Sequence, residues 1–235
     1  PKQVVGDDAL LVLDRASIRQ SIADFKGSKQ DLEVADKAID MLDLSHTTAD
    51  DLGKYMFSDS AGRYQAPPYE KLFVNTLNMV NYLELHDLSG ARVEARRFAV
   101  MQKYLRDKAK QDDNVISGLG SYLAGFIYEK SGESDEALRY YDDALHFAYK
   151  DSLGLPVART LPKGSYTSPR LKSASEGIAS DPIGEDEGEL LMIVGYGRVP
   201  HKIANRLPIG LVLTYYAMYI SPADRATANE MAIAG

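Results

Sequence analysis

Along most of its first 150 residues the chain repeats one pattern, with apolar side chains three to four residues apart and polar ones between them, the period of an amphipathic helix. "DDALLVLDRASIRQSIADF" carries it at Leu10, Leu13 and Ile18. "SKQDLEVADKAIDML" carries it at Leu32, Ala35, Ile39 and Leu42, after Gly27. "YEKLFVNTLNMVNYLEL" resumes it at Leu72, Leu77, Val80 and Leu83. Beyond the turn "HDLSG", "ARVEARRFAVMQKYLRDKAK" has it at Ala95, Phe98, Met101 and Leu105. A further pair runs from near Ile116 to about Lys150. The pattern predicts helices joined two by two. Between the first two pairs, "SHTTADDLGKYMF" reads as a short helix in which Thr47 offers its side-chain oxygen to the open N–H groups of the first turn. "SDSAGRYQAPPY" then breaks the period.

After residue 150 the pattern changes. Residues 151–188 are rich in Pro, Gly and Ser, follow neither period, and are expected to form a linker or long loop. In residues 189–235, "ELLMIVGYGRVPHKI" predicts a buried strand followed by a turn. "SPADRATANEMAIA" predicts a closing helix, with Ser221 as its cap and Pro222 at its first position. The expected fold is mainly α: a helical domain over 1–150, a linker over 151–188 and a small β-containing C-terminal element over 189–235.

The third helix pair alternates its smallest residues with its largest. Two helices joined by a tight turn approach closely only where the crossing side chains are small. Gly125 on the first helix and Ala137 on the second are expected at such a crossing. Tyr128 and Tyr141 then fill the space around it, Gly132 permits the turn, and Ala144 continues the small stripe. The spacing Gly125, Tyr128, Gly132, Ala137, Tyr141, Ala144 resembles the tetratricopeptide repeat, a helix-turn-helix unit of about 34 residues. Ser121 stands where that repeat has Trp, and Tyr149 where it ends in Pro. A weaker copy has Tyr82, Ala91 and Ala95, and a third has Ser28 and Ala35. Ala91 and Ala137 lie 46 positions apart, so the predicted repeats are irregular.

The order of features, strongest in "VNYLELHDLSGARVEARR" and "GYGRVPHK", resembles a family of repeat-containing proteins of the bacterial envelope over roughly residues 7 to 230. The resemblance implies a periplasm-facing helical scaffold, often made with an N-terminal lipoprotein signal and so held at the outer membrane by a lipid anchor. The lipidated Cys of that signal is absent here. The chain opens at Pro1 without Met, h-region or charged n-region, and is expected to be a mature or trimmed form.

Charge narrows the function further. With 27 Lys and Arg against 34 Asp and Glu, a net charge of -7 argues against a nucleic-acid binder. The absence of Cys removes disulfides and thiolate metal sites. "LLMIVGY" and "LPIGLVLTYYAMYI" fall short of the about 20 apolar residues of a membrane-spanning helix. His46, His86, His146 and His201 lack the short spacings of a zinc site. "GYGRVP" has Pro200 in place of the third glycine of a dinucleotide loop. "GLGSYLAG" lacks the Gly-x-Ser-x-Gly of a nucleophile elbow, and "GEDEGE" reads as an acidic solvated loop. No catalytic group, cofactor or metal site is expected.

What remains is a protein-binding surface in a non-catalytic scaffold. Arg92, Arg96, Lys103 and Arg106 are expected on one exposed side of their helix, with Arg97 at its margin, where they would bind an acidic partner segment. Asn75, Asn78 and Tyr82 share a face of the preceding helix, and as first-helix residues of a repeat they would line a groove that grips a peptide backbone. Two alternatives stand beside this reading: a small-ligand binder or enzyme with its pocket between the helices and the C-terminal strand, and a structural subunit of an oligomeric envelope assembly.

Overall fold

In the computed structural model, which describes residues 8–44, 64, 66–107, 115–147, 153–180, 184, 186 and 188–194, the helices predicted in pairs are paired. Helices α1 (Asp8–Ser21) and α2 (Phe25–Leu44), α3 (Pro68–Glu84) and α4 (Leu88–Asp107), and α5 (Val115–Lys130) and α6 (Ser134–His146) form three hairpins. Consecutive hairpins pack through α2 on α3, α3 on α5 and α4 on α5. Two short helices follow, α7 (Gly154–Thr160) and α8 (Pro169–Ser175), and both pack on α6. The described residues are mainly helical and contain no strand. None of the described helices is long and apolar enough to cross a membrane.

One turn joins all three hairpins. Ala23, His86 and Gly132 sit at positive φ, 62°, 56° and 77°. The next residue's N–H reaches back to a helix carbonyl: Asp24 to Arg19 (2.8 Å), Asp87 to Tyr82 (2.9 Å), Glu133 to Tyr128 (3.0 Å). This is the left-handed ending that satisfies the last carbonyls of a helix. Asp24 and Asp87 then cap the following helix, their carboxylates accepting from Gly27 N–H (3.0 Å) and Gly90 N–H (2.8 Å). A left-handed residue with a Cβ costs about 1–2 kcal/mol, part of it offset by the chain entropy that glycine loses on folding. Ala23→Gly and His86→Gly should therefore each stabilise the fold by about 0.5–1 kcal/mol, and Gly132→Ala should destabilise it by a similar amount. Equilibrium denaturation of the three variants checks this.

The shared turn also sets the packing register. Four residues past the residue that follows each left-handed position stand Ser28, Ala91 and Ala137, all fully buried. Eight residues before and eight after it stand the pairs Ala16 and Leu32, Met79 and Ala95, Gly125 and Tyr141. Each pair combines a smaller residue with a larger one, and the third pair is the extreme. A Cβ on Gly125 would come within 2.4 and 2.5 Å of two ring carbons of Tyr141, which is itself fully buried and 6.3 Å from the Tyr122 ring. Between hairpins, a Cβ on Gly120 of α5 would come within 2.2 and 2.3 Å of two ring carbons of Phe98 on α4. Close-packed interiors make such substitutions costly.

Two sequence expectations change here. Leu10 and Ile18 of α1 are 41% and 61% exposed; α1 instead buries Ala9 and Ala16, because Leu32 of α2 supplies the bulk in its cluster with Ile39 and Val74. Residues 153–175, expected within a linker, form α7, a 3-10 turn (Leu161–Lys163) and α8. Pro156 lies in the first turn of α7 and Pro169 at the first position of α8, behind the Ser168 cap, where a missing N–H costs nothing. These prolines start helices; they do not break them.

The chain divides into a unit over Pro1–Glu185 and a second over Asp186–Gly235. In the second, residues 188–194 carry no regular structure, and Leu190, Met192 and Val194 are 82%, 72% and 73% exposed. Residues 190–194 are thus exposed and without strand structure where a buried strand is expected, and the rest of that element lies outside the described residues. The short helix around Thr47, the glycine turn after Tyr196 and the closing helix from Ser221 lie outside the described residues, as do His46 and His201.

Candidate functional site

Of the residues expected to bind a partner, Asn75 and Asn78 lie inside the stack. They are 3% and 2% exposed, as α3 is covered by α2, α4 and α5. Asn75 Nδ2 donates to Glu94 Oε2 at 3.2 Å, and Asn81 Nδ2 donates to Ser28 Oγ (3.0 Å) and Asn78 Oδ1 (3.4 Å). Gln20 of α1 donates to Asn81 Oδ1 at 2.8 Å. A polar seam thus links the first two hairpins, and the amides are consumed in it. They correct the groove expectation, because buried amides must find partners inside the protein. Tyr82 is half-buried; its hydroxyl donates to Glu33 at 3.0 Å, Lys29 Nζ lies 4.8 Å from its ring centroid, and burial followed by Glu33 pushes its pKa up to about 12.

Glu94 is the buried carboxylate of this seam. Burial raises its pKa, while the Asn75 hydrogen bond and the charge of Arg97 pull the other way without reversing the shift. A carboxyl titrating higher folded than unfolded opposes folding when ionised. Its share of stability falls as pH rises from the unfolded value, about 4.3, through the folded one. Glu94→Gln should gain on the wild type across that window, and paired pH-denaturation curves measure the difference.

The arginines of α4 divide between structure and surface. Arg92 pairs with Glu133, and Arg96 Nε donates to Tyr128 Oη at 3.2 Å, so both tie α4 to the third hairpin. Tyr128 stacks on Tyr140 with centroids 5.3 Å apart. Arg97 donates to Glu94 at 3.1 Å and lies 3.8 Å from Asp36 of α2. Lys103 and Arg106 are exposed. Charge reversal at Arg92 or Arg96 therefore disturbs packing as well as surface charge.

Sequence reasoning missed the apolar residues set among these cations. Val93, Val100 and Tyr104 are 45%, 70% and 55% exposed. At positions i, i+7 and i+11 they form one line along α4, opposite the buried Ala91, Ala95, Phe98 and Leu105. The signal was present: α4 has a second apolar stripe beyond the one its core needs.

A second feature holds the C-terminal part of the first unit in place. Asp135, Arg139 and Asp142, at i, i+4 and i+7 of α6, face residues 165–170. Asp135 accepts from Ser165 N–H (2.5 Å), Ser165 Oγ (2.7 Å) and Tyr166 N–H (2.9 Å). Arg139 lies 4.5 Å from the Tyr166 ring centroid. Asp142, 5% exposed, accepts from Tyr166 Oη (2.9 Å), Ser168 Oγ (2.7 Å) and Arg170 (2.9 and 3.1 Å). Burial pushes the Asp142 carboxyl up, but bonds from Arg170, Ser168 and Tyr166 outweigh it and hold the pKa below the usual range. The backbone of Tyr166 and then Ser165 lower that of Asp135.

Among the described residues no group of three His, Asp or Glu side chains is placed to hold a metal ion. What fold and site define is a mainly α-helical protein of stacked hairpins whose buried polar groups serve the stack. The chain matches no protein-family model, no curated protein and no solved structure.

Proposed function

We propose that the protein is a non-catalytic scaffold of irregular tetratricopeptide type that binds a protein partner in the bacterial envelope, with the outer face of α4 as its contact surface. The observation that carries this reading is the exposed line of Val93, Val100 and Tyr104 set among Arg96, Arg97 and Lys103. Exposed apolar residues aligned on a rigid helix favour association, and Tyr and Arg are the residue types that dominate interface energetics. The repeat reading is supported by the common turn and by the small residues Ser28, Ala91 and Ala137 at one register. Periplasmic location and an outer-membrane lipid anchor rest on the family resemblance.

The test is co-isolation from envelope extract with wild-type protein and with a Val100→Glu, Lys103→Glu variant, whose side chains lie outside the core. The expected result is loss of the captured partner with an unchanged melting temperature. Equal capture by both proteins refutes the assignment of the surface.

A further inference from the structure

We infer that the α4 face docks an acidic amphipathic helix of the partner, with apolar side chains laid along Val93, Val100 and Tyr104 and carboxylates against Arg96, Arg97 and Lys103. The inference rests on the scaffold reading above and adds the chemistry of what is bound.

The helix surface sets the length and spacing of the contact. Val93 to Tyr104 spans eleven residues, or about 16 Å at 1.5 Å per residue, roughly three turns. A partner meets such a line continuously when its own apolar side chains recur every three to four residues, the ridge spacing of another helix. A strand, with side chains alternating every two residues, matches it poorly.

Charge selects among helices. Around the circumference of α4, Arg97 borders the line on one side, and Arg96 and Lys103 border it on the other. The carboxylates of α4 are Glu94, buried and bonded to Arg97, and the exposed Asp107, which closes the line one turn past Lys103. The stretch carrying Arg96 and Lys103 is therefore net cationic on a chain of net charge -7. Flanking charges of this kind fix register and reject like-charged partners more than they add raw affinity. A basic helix is excluded by repulsion, and a neutral one leaves Arg96 and Lys103 without a matching charge, whereas Arg97 already meets Glu94 and Asp36. An anionic membrane fits less well, because interfacial helices bury a broad apolar face, whereas this line is three side chains long and one wide.

The exposed residues Leu11, Ile18 and Ile22 of the first hairpin show the contrast. Asp14, Arg15 and Arg19 mix both signs around them, and no partner charge is selected there.

The full chain would be titrated into a fluorescein-labelled 18-residue helical peptide with Leu at matching positions and Glu on both flanks, followed by anisotropy. Saturable binding is expected, weakening as salt shortens the screening length. Val100→Glu, Tyr104→Glu and Lys103→Glu should each weaken it by about tenfold or more. A Leu→Ser peptide should bind at least about tenfold more weakly, and a Glu→Lys peptide should not bind. No saturation, equal affinity for the Leu→Ser or Glu→Lys peptide, or co-sedimentation with phosphatidylglycerol vesicles in place of peptide binding overturns the inference. If the peptide is inert while co-isolation still fails for the Val100→Glu, Lys103→Glu variant, the partner chemistry falls and the scaffold reading stands. If co-isolation is also unaffected, both fall.

Discussion

Replacing Gly125 with valine is expected to lower the unfolding free energy by about 3 kcal/mol, the upper end of what overpacking a well-filled core costs. The Tyr141 ring occupies the space a side chain at 125 needs, and it is fully buried, with its hydroxyl bonded to Glu129 at 2.5 Å. It has nowhere to move. The sharper form of the experiment uses alanine. In an open helix position Gly→Ala stabilises by about 1 kcal/mol, but here the new Cβ meets the ring, so Gly125→Ala should destabilise. In a Tyr141→Leu background the pair becomes alanine against leucine, the arrangement that Ala16 and Leu32 already have. There Gly125→Ala should stabilise. A change of sign between backgrounds is a large coupling for two residues. An equal effect in both would mean that the ring does not set the spacing of α5 and α6.

The second large effect concerns Asp142. Its carboxylate accepts bonds from Tyr166, Ser168 and Arg170, and truncating it leaves these donors without their acceptor. Arg170 is half exposed, so its ion pair alone contributes little. The two hydroxyl bonds to a buried charge contribute more, and Asp142→Ala should weaken the docking of residues 164–175 by about 3 kcal/mol. Hydrogen exchange should rise in 164–175 and remain protected in α3, α4 and α5. The pH dependence has a definite sign. Asp135 and Asp142 titrate below the usual range when folded. The stability they contribute is complete above the unfolded value, about 3.9, and is lost as pH falls from there through the folded values. Acid below about pH 3.9 should therefore release 164–175, and in Asp142→Ala that acid step should shrink. Uniform exchange changes across all hairpins would contradict a local latch.

How much of this was legible in the sequence depended on the kind of residue. The helix pairs were, because Leu32, Ile39, Leu72, Phe98 and Leu105 recur at the helical period and are buried. In α1 the period misleads: it points the largest apolar residues inward, yet the residues buried against α2 are Ala9 and Ala16, whose size carries little weight in a hydrophobic pattern. Gly125 and Tyr141 are recognisable as a small residue and a large one in alternation. That they meet each other requires the turn register. Asn75 and Asn78 look like surface groups because amides are usually exposed. Their burial depends on Glu94, Asn81 and Ser28, which converge from three helices and which no local pattern connects. Residues 153–175 are hidden by their own prolines, since a proline in the first turn of a helix and one in a loop differ only in the conformation of the residues after them. The arginines of α4 belong on its outward side by their spacing, but the division of Arg92 and Arg96 toward the third hairpin needs Glu133 and Tyr128 in position.

The proposed contact surface is the outer face of α4. A photoreactive amino acid placed in living cells at Val93, Val100 or Tyr104, with Lys172 of α8 as an exposed control, tests it most directly. One discrete protein adduct is expected from the α4 positions and none from Lys172. No adduct from α4, or the same adducts from all four positions, would contradict it.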